Sequence, residues 1–243
     1  MRQEHEINHS FGRESVNSTE RRDRIRTVFT AVAPRYDLMN DLMSMGIHRL
    51  WKRRLARSVQ DIQGQVIDLA GGTGDVARLL RAPGRHVTVC DPNQAMMQVG
   101  QQRPDMTDIH WLVGEAEQLP LADASVDLLT VSFGLRNATH LEQALAEIHR
   151  VLKPGGQFVC LEFSQPAFWL APIYNLYSFL VIPRLGALVA RAPIAYQYLV
   201  ESIRRFPNQQ GFADLMRQAG FTNIRWNNLS FGIACLHYGT RPQ

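Results

Sequence analysis

The stretch VIDLAGGTGDVA, residues 66–77, decides the fold. It opens as an apolar run with strand character, passes through three glycines, and ends in helical spacing. A strand that turns through glycines straight into a helix leaves free backbone N–H groups, and these favour an anion. Outward from this point the same rhythm repeats. Strands are expected at Val66–Leu69, His86–Cys90, Ile109–Val113, Val126–Ser132 and Gln157–Glu162, with helices near Val76–Leu80, Gln94–Gln101 and Leu141–Val151. A last helix, Phe212–Gln218, and two strands, Thr222–Asn227 and Ile233–Tyr238, follow. Strands that alternate with helices make βαβ units, so the expected class is α/β: a Rossmann-like, mainly parallel, seven-stranded sheet with helices on both faces.

Residues 1–20 are polar and aperiodic and are expected to form a flexible tail. Residues 21–60 carry apolar side chains at helical spacing (Ile25, Val28, Phe29, Val32), then a break at Pro34 and a second stretch from Leu38 to Leu55. They read as an N-terminal helical cap on the main domain, 61–243. Within that domain, residues 166–200 are apolar and punctuated by Pro166, Pro172, Pro183 and Pro193, and are expected to form a helical lid insertion.

At 243 residues, 45% hydrophobic and 20% charged, the chain suits one large α/β domain rather than two. Residues 1–60 hold 12 Lys/Arg against 7 Asp/Glu, so the formal charge of +4 sits at the N-terminal end. Such a patch can attract an anionic surface or ligand. Cys90, Cys160 and Cys235 lie far apart in apolar runs without metal-ligand spacing; they read as buried free thiols, and no metal site is expected. MRQEHEINHS has no apolar core for a secretory signal, which for a bacterial source points to the cytoplasm. Trp169–Ile182, interrupted by Pro172, falls short of the ~20 residues of a membrane span.

The loop Gly71, Gly72, Thr73, Gly74 is ambiguous alone, because Gly72, Gly74 and Ala77 also satisfy the GxGxxA dinucleotide fingerprint. Its flanks favour another ligand. Asp68, two residues before the loop, would face a diphosphate unfavourably but can pair, directly or through water, with the ammonium and sulfonium end of S-adenosylmethionine. Asp91 ends the second strand, where a carboxylate can accept both ribose hydroxyls. Glu115 and Ala116 follow the third strand, beside the expected adenine position, and Ser132 ends the fourth; all fall on one rim of the sheet.

The loop, the second-strand Asp, the acidic turn and LKPGG together resemble the class I methyltransferases. YDLMNDLMSMGIHRLWKR, DLAGGTGD, SFGLRNATH, RVLKPGG, LEFS and YLVESIRRFP, in this order, resemble the UbiE-type ubiquinone/menaquinone biosynthesis C-methyltransferases over essentially the whole chain. The resemblance implies methyl transfer from S-adenosylmethionine to a ring carbon of a polyprenylated hydroquinone, a benzoquinol or demethylmenaquinol. It places the methyl donor on Thr73, Asp91, Glu115, Ala116 and Ser132. It makes Arg136 the catalytic candidate, as phenolate stabiliser or activator of a water, and Tyr36, Asn40, Asn137 and Tyr196 the acceptor-site candidates, with Asp37 and His48 near the mouth. It also leaves open peripheral contact with the inner membrane, and a quinone-biosynthesis complex or a homodimer. Two positions depart from the pattern: Glu115, where Asn is common, and Arg191-Ala192-Pro193, where an acidic residue is common.

Three other readings remain at this point. A nicotinamide oxidoreductase fits the fingerprint but conflicts with Asp68 and lacks a Tyr-x-x-x-Lys pair after the fourth strand. An RNA methyltransferase fits the pI of about 9.2, but Ser132-Phe133-Gly134-Leu135 stands where an N6-adenine enzyme carries Asn/Asp-Pro-Pro-aromatic, so no nucleic-acid partner is expected. A non-catalytic donor-binding subunit is the third.

Overall fold

A computed structural model of the chain describes residues 10–11, 14–33, 36–170, 172, 176 and 193–243. Three helices come first: α1 (Ser18–Val32), α2 (Tyr36–Ser44) and α3 (Ile47–Ser58). The main domain then runs β1 (Gly64–Leu69), α4 (Asp75–Leu80), β2 (Arg85–Asp91), α5 (Gln94–Gln101), β3 (His110–Val113), β4 (Val126–Ser132), α6 (Leu141–Val151) and β5 (Leu152–Phe163). It ends with α7 (Pro193–Arg205), α8 (Gln209–Gln218), β6 (Thr222–Leu229) and β7 (Ala234–Thr240). The seven strands form one sheet in the order β3-β2-β1-β4-β5-β7-β6. The first five are parallel, while β7 runs antiparallel to both β5 and β6.

Alternation along the strands divides the core into two layers. Val66, Leu128 and Val159 face one side, with Trp51 and Leu55 of α3 and Val76 and Leu80 of α4. Ile67, Leu129, Phe158 and Cys160 face the other, with Leu145 and Ile148 of α6 and Phe212 and Met216 of α8. Successive side chains of a strand point to opposite faces, so the continuous apolar runs read in the sequence are what a sheet covered on both sides requires. All three cysteines are buried and free.

Several expected boundaries move. The tail is shorter than 1–20: Ser10–Phe11 pairs with Glu14–Ser15 as a small antiparallel ladder, and α1 begins at Ser18, where the Asn17 side chain accepts from the Glu20 amide at 2.8 Å. Val16 is buried against Ile25 and Tyr198, which ties this segment to the domain. β5 starts at Leu152 rather than Gln157, because Leu152 pairs with Val126 and the register shifts before Gln157 pairs with Leu128. β7 begins at Ala234, after a 3-10 turn at Ser230–Gly232. Of the expected lid 166–200, residues 171, 173–175 and 177–192 lie outside the described residues, including the Arg191-Ala192 part of the turn noted above. The segment's end is α7.

One close approach sets the position of α5. A Cβ on Gly100 would lie 2.6 Å from the Thr73 backbone oxygen and would also strike Trp111. Gly100→Ala therefore forces the helix off the 71–74 loop, and overpacking of this kind costs about 1–3 kcal/mol. The melting temperature is expected to fall by roughly 2–12 °C, since each kcal/mol is worth ~2–4 °C in a domain of this size; an unchanged melting curve counts against that packing.

Candidate active site

The turn from β1 to α4 bends through the left-handed region at Ala70 (φ 52°), Gly72 (φ 55°) and Gly74 (φ 78°). At Gly74 only glycine suits both the angle and the space, because a Cβ there would run into Met106 and Trp111. Two buried aspartates hold the bend. Asp68 has no exposed surface; its Oδ2 accepts from the Ala77 amide and its Oδ1 from the Thr130 hydroxyl, both at 3.0 Å. Asp91, at the end of β2, accepts from the Gly72 amide at 2.9 Å and from the Asn93 amide at 2.7 Å. Burial pushes the Asp68 carboxyl up to about 7, against the pull of those hydrogen bonds. It pushes Asp91 up to about 6, with the Asn93 and Gly72 amides opposing.

Above the carboxyl ends of these strands lies a cleft of about 940 Å³, counting the solvent at its mouth. The chain reverses its direction of travel through the sheet between β1 and β4, and open α/β sheets bind ligands at such a switch point. The cleft is lined by Gly72, Asp91, Asn93, Glu115 and Ala116 of the loops that follow the strands, and by Ile25, Phe29, Tyr36, Phe133 and Asn137. α1 and α2 thus supply part of the wall. Glu115 is ion-paired across the mouth to Arg22 at 3.1 Å and Arg26 at 3.4 Å, exposed pairs of modest worth. The Asn93 side chain caps α5 through Met96 and donates back to the Arg26 carbonyl and the Thr30 hydroxyl of α1.

The structure brings Gly72, Asp91, Glu115, Ala116, Tyr36 and Asn137 together on this wall. It corrects others. Asp68 lies beneath the loop with both oxygens engaged, so it shapes the turn and does not meet a ligand directly. Thr73 is buried, and its hydroxyl donates to Asp37 at 3.2 Å; what it can offer a ligand is backbone. The Ser132 hydroxyl is buried without a partner between Val131 and Phe133, two residues of the wall. Asn40 is off the wall, its carbonyl accepting from Ser44 at 2.7 Å. His48 is buried 2.7 Å from Ser44 Oγ, and burial followed by the charge of Lys52 pushes it down to about 4, so it is neutral and structural. Tyr196 lies on α7, with its side chain outside the described residues.

Arg136, the catalytic candidate, stands apart from that wall. It sits in the short turn Leu135–Asn137 but is only 7% exposed and does not line the cleft. Its Nη1 donates to the Phe133 carbonyl and to Glu162 Oε1, the latter at 3.0 Å, and its amide donates to Glu162 Oε2 at 3.3 Å. Burial pushes the Glu162 carboxyl upward while Arg136 pulls it back. A buried guanidinium needs such a partner, and Glu162 draws Arg136 to the far side of the turn.

Some participants escaped the sequence reading. Ile25 and Phe29 were legible only as a helix face, and Asn93 was not singled out at all. Arg103 bridges Asp37 and Asp75, the latter at 3.0 Å, and Lys52 reaches Asp75 at 3.3 Å, joining the cap to the loop. No local pattern marks such pairs. Among the described residues, no group of three His, Cys, Asp or Glu is arranged to hold a metal, and no helix is long and apolar enough to cross a membrane.

The ubiE/COQ5 methyltransferase family model matches residues 16–241. The chain is 65% identical to the ubiquinone/menaquinone biosynthesis C-methyltransferase UbiE of Rubrivivax gelatinosus, over 97% of this chain and 94% of that one. It is 48% identical to the mitochondrial 2-methoxy-6-polyprenyl-1,4-benzoquinol methylase of Caenorhabditis elegans, over 96% and 85%. Among solved structures, an S-adenosylmethionine-dependent methyltransferase of Thermotoga maritima aligns with a TM-score of 0.67 at 21% identity, over 88% of this chain and 98% of that one, a likeness of fold. The chain belongs to the ubiE/COQ5 methyltransferase family and is an S-adenosylmethionine-dependent C-methyltransferase.

Proposed function

We propose that this enzyme methylates a ring carbon of a polyprenylated hydroquinone, the benzoquinol of ubiquinone synthesis, demethylmenaquinol, or both. The observation that carries this is that one cleft joins the glycine loop and the Asp91 and Glu115 carboxylates to hydrocarbon, two aromatic rings from the cap and one amide; we read the former as the donor end and the latter as the acceptor end. The unpartnered Ser132 hydroxyl and the carboxylate of Asp91 fit a ligand rich in hydroxyls and ring nitrogens at the first end.

When bound, adenosylmethionine supplies a methyl group on a sulfonium centre that is electrophilic without further help, so this reading calls on no metal. Asp91 accepts the ribose hydroxyls, the Gly71 and Thr73 amides offer backbone donors, and Glu115 and Ala116 flank the adenine. At the other end Ile25, Phe29 and Phe133 exclude water from the acceptor ring, and Tyr36 and Asn137 orient its oxygens. The ring must arrive reduced and electron-rich, and the hydrogen displaced from its carbon leaves as a proton. Arg136 acts here by fixing the turn that carries Asn137. Exposed Phe168 (89%), Trp169 and Phe231, with the basic N-terminal helices, support peripheral contact with an anionic inner-leaflet surface. Salt-insensitive or absent binding to anionic vesicles rejects that part. A homodimer, or a place in a complex of quinone-biosynthesis proteins, accords with the same reading and is settled by sizing.

Labelled adenosylmethionine with each reduced short-chain quinone tests the function: label is expected on a ring carbon of at least one, and transfer to neither overturns it. In the same assay Arg136→Ala is expected to lose turnover together with stability, about 3–5 kcal/mol, because Glu162 is left buried and unpaired. Full stability with a ~100-fold loss of turnover would return Arg136 to the reacting ring.

Donor affinity is expected to depend on pH through Asp91. Its folded carboxyl titrates near 6, so the ionised acceptor fills as pH rises through that value and is lost below it. Calorimetry from pH 5 to 7.5 should show affinity rising to a plateau, and Asp91→Asn should weaken binding and remove the inflection. Persistence of the inflection in that variant assigns it elsewhere.

A further inference from the structure

Arg21 is an expensive residue where it stands. It lies in the first turn of α1, the end of a helix where a cation is disfavoured, and it is only 3% exposed. Among the described residues no carboxylate is within ion-pair distance of it, and its Nε is buried without a partner. A buried charge compensated only by neutral groups is destabilising, so the contacts that keep it must be specific. All are to one place. Arg21 Nη1 donates to the carbonyls of Asn137 at 3.1 Å and Ala138 at 3.3 Å, and to the Thr139 hydroxyl at 3.4 Å.

The same turn is gripped from other sides. The Tyr198 hydroxyl of α7 donates to Asn137 Oδ1 at 2.9 Å, the Thr139 amide donates to Glu117 at 2.6 Å, and Glu162 holds the Arg136 amide. With Oδ1 taken by Tyr198, the amide of Asn137 is oriented so that Nδ2 is the donor it has left. Leu135, Asn137, Ala138 and Thr139 all line the cleft; Arg21 and Tyr198 do not.

We propose that Arg21 and Tyr198 are positioning residues for the methyl transfer. Arg21 fixes the backbone of the Asn137–Thr139 segment, and Tyr198 sets the Asn137 amide so that its Nδ2 donates to an oxygen of the acceptor ring. This rests on the acceptor assignment above. It also gives α1, which precedes the main domain in sequence, and α7, which lies between β5 and α8, a direct hold on the geometry of the reaction.

The test uses the full chain with Tyr198→Phe, Arg21→Met and Arg21→Lys. Tyr198→Phe keeps the ring and removes one hydroxyl; kcat/KM for a reduced short-chain quinone should fall ~10-fold, the worth of one hydrogen bond, with donor Kd within about two-fold and an unchanged melting temperature. Arg21→Met should fall ~100-fold per folded molecule, as a misplaced reacting geometry does. Arg21→Lys should recover most of that loss, because a single nitrogen makes all three contacts. Hydrogen exchange at the amides of 135–139 should quicken ~10-fold in Arg21→Met, while those of β1 stay protected. Near-normal turnover in both Tyr198→Phe and Arg21→Met, or losses tracking melting temperature and donor affinity alike, overturns the proposal. If the wild-type chain methylates neither quinone, the acceptor reading fails by itself; exchange still decides the clamp, which unchanged protection at 135–139 overturns.

Discussion

A carboxylate without exposed surface sets the geometry on which the rest of the site depends. Asp68 joins three pieces of chain: the end of β1, the start of α4 through the Ala77 amide, and β4 through Thr130. Those bonds force the intervening residues into a bend that Ala70, Gly72 and Gly74 accept with positive φ. Its raised pKa carries a definite sign. The folded state holds this proton more tightly than the unfolded chain does, so the associated stability is greatest below about 4 and is lost as pH rises through about 7. At neutral pH this central carboxyl is near the midpoint of its titration, and in either form it keeps the loop fixed.

From that loop the constraint spreads outward through charge. Thr73 bonds Asp37 of α2, Asp37 pairs with Arg103, Arg103 with Asp75 at the head of α4, and Asp75 with Lys52 of α3. The cap is therefore tied to the glycine loop by a chain of ions, and to the Asn137–Thr139 turn by Arg21. Partly buried networks of this type are more specific than strong, because each partner is costly to leave unpaired. The N-terminal basic excess has a structural use in this arrangement: Arg21, Arg22 and Arg26 each contact a loop at the carboxyl end of the sheet.

What the sequence made legible follows from periodicity. Strands buried on both faces read as apolar runs, glycine marks the turn, and Asp91 and Glu115 are placed by strand ends; order along the chain suffices for these. Side-chain direction does not follow from such marks. Arg136 stands at the end of β4 in any reading, but Glu162, 26 residues on, decides which side of the turn its guanidinium takes. Thr73 is turned in the same way by Asp37. The start of β5 was hidden because proline and two glycines at 154–156 look like a turn, whereas the pairing of Leu152 with Val126 makes them an irregularity within the strand. Val16 looked like part of a polar tail because its partners, Ile25 and Tyr198, lie elsewhere in the sequence.

The lining of the cleft limits how the enzyme can contribute to rate. Around its Asn137 turn the side chains are Leu135, Asn137, Ala138 and Thr139, and none of these is a base. Glu117 lines the cleft beside that turn, and its Oε1 already accepts from the amides of Thr139 and His140 at 2.6 and 3.3 Å. Strong acid–base catalysis is thus a poor account of this wall. A reduced hydroquinone brings its own electron density to the carbon that attacks, and the donor brings its own leaving group. What remains for the protein is alignment of the two in a water-poor space, a contribution that for well-oriented reactants reaches ~7–11 kcal/mol. Alignment demands a rigid wall, and the turn from Arg136 to Thr139 is held from α1, α7, β5 and Glu117 at once, with the Arg136 guanidinium bound to the Phe133 carbonyl and Glu162.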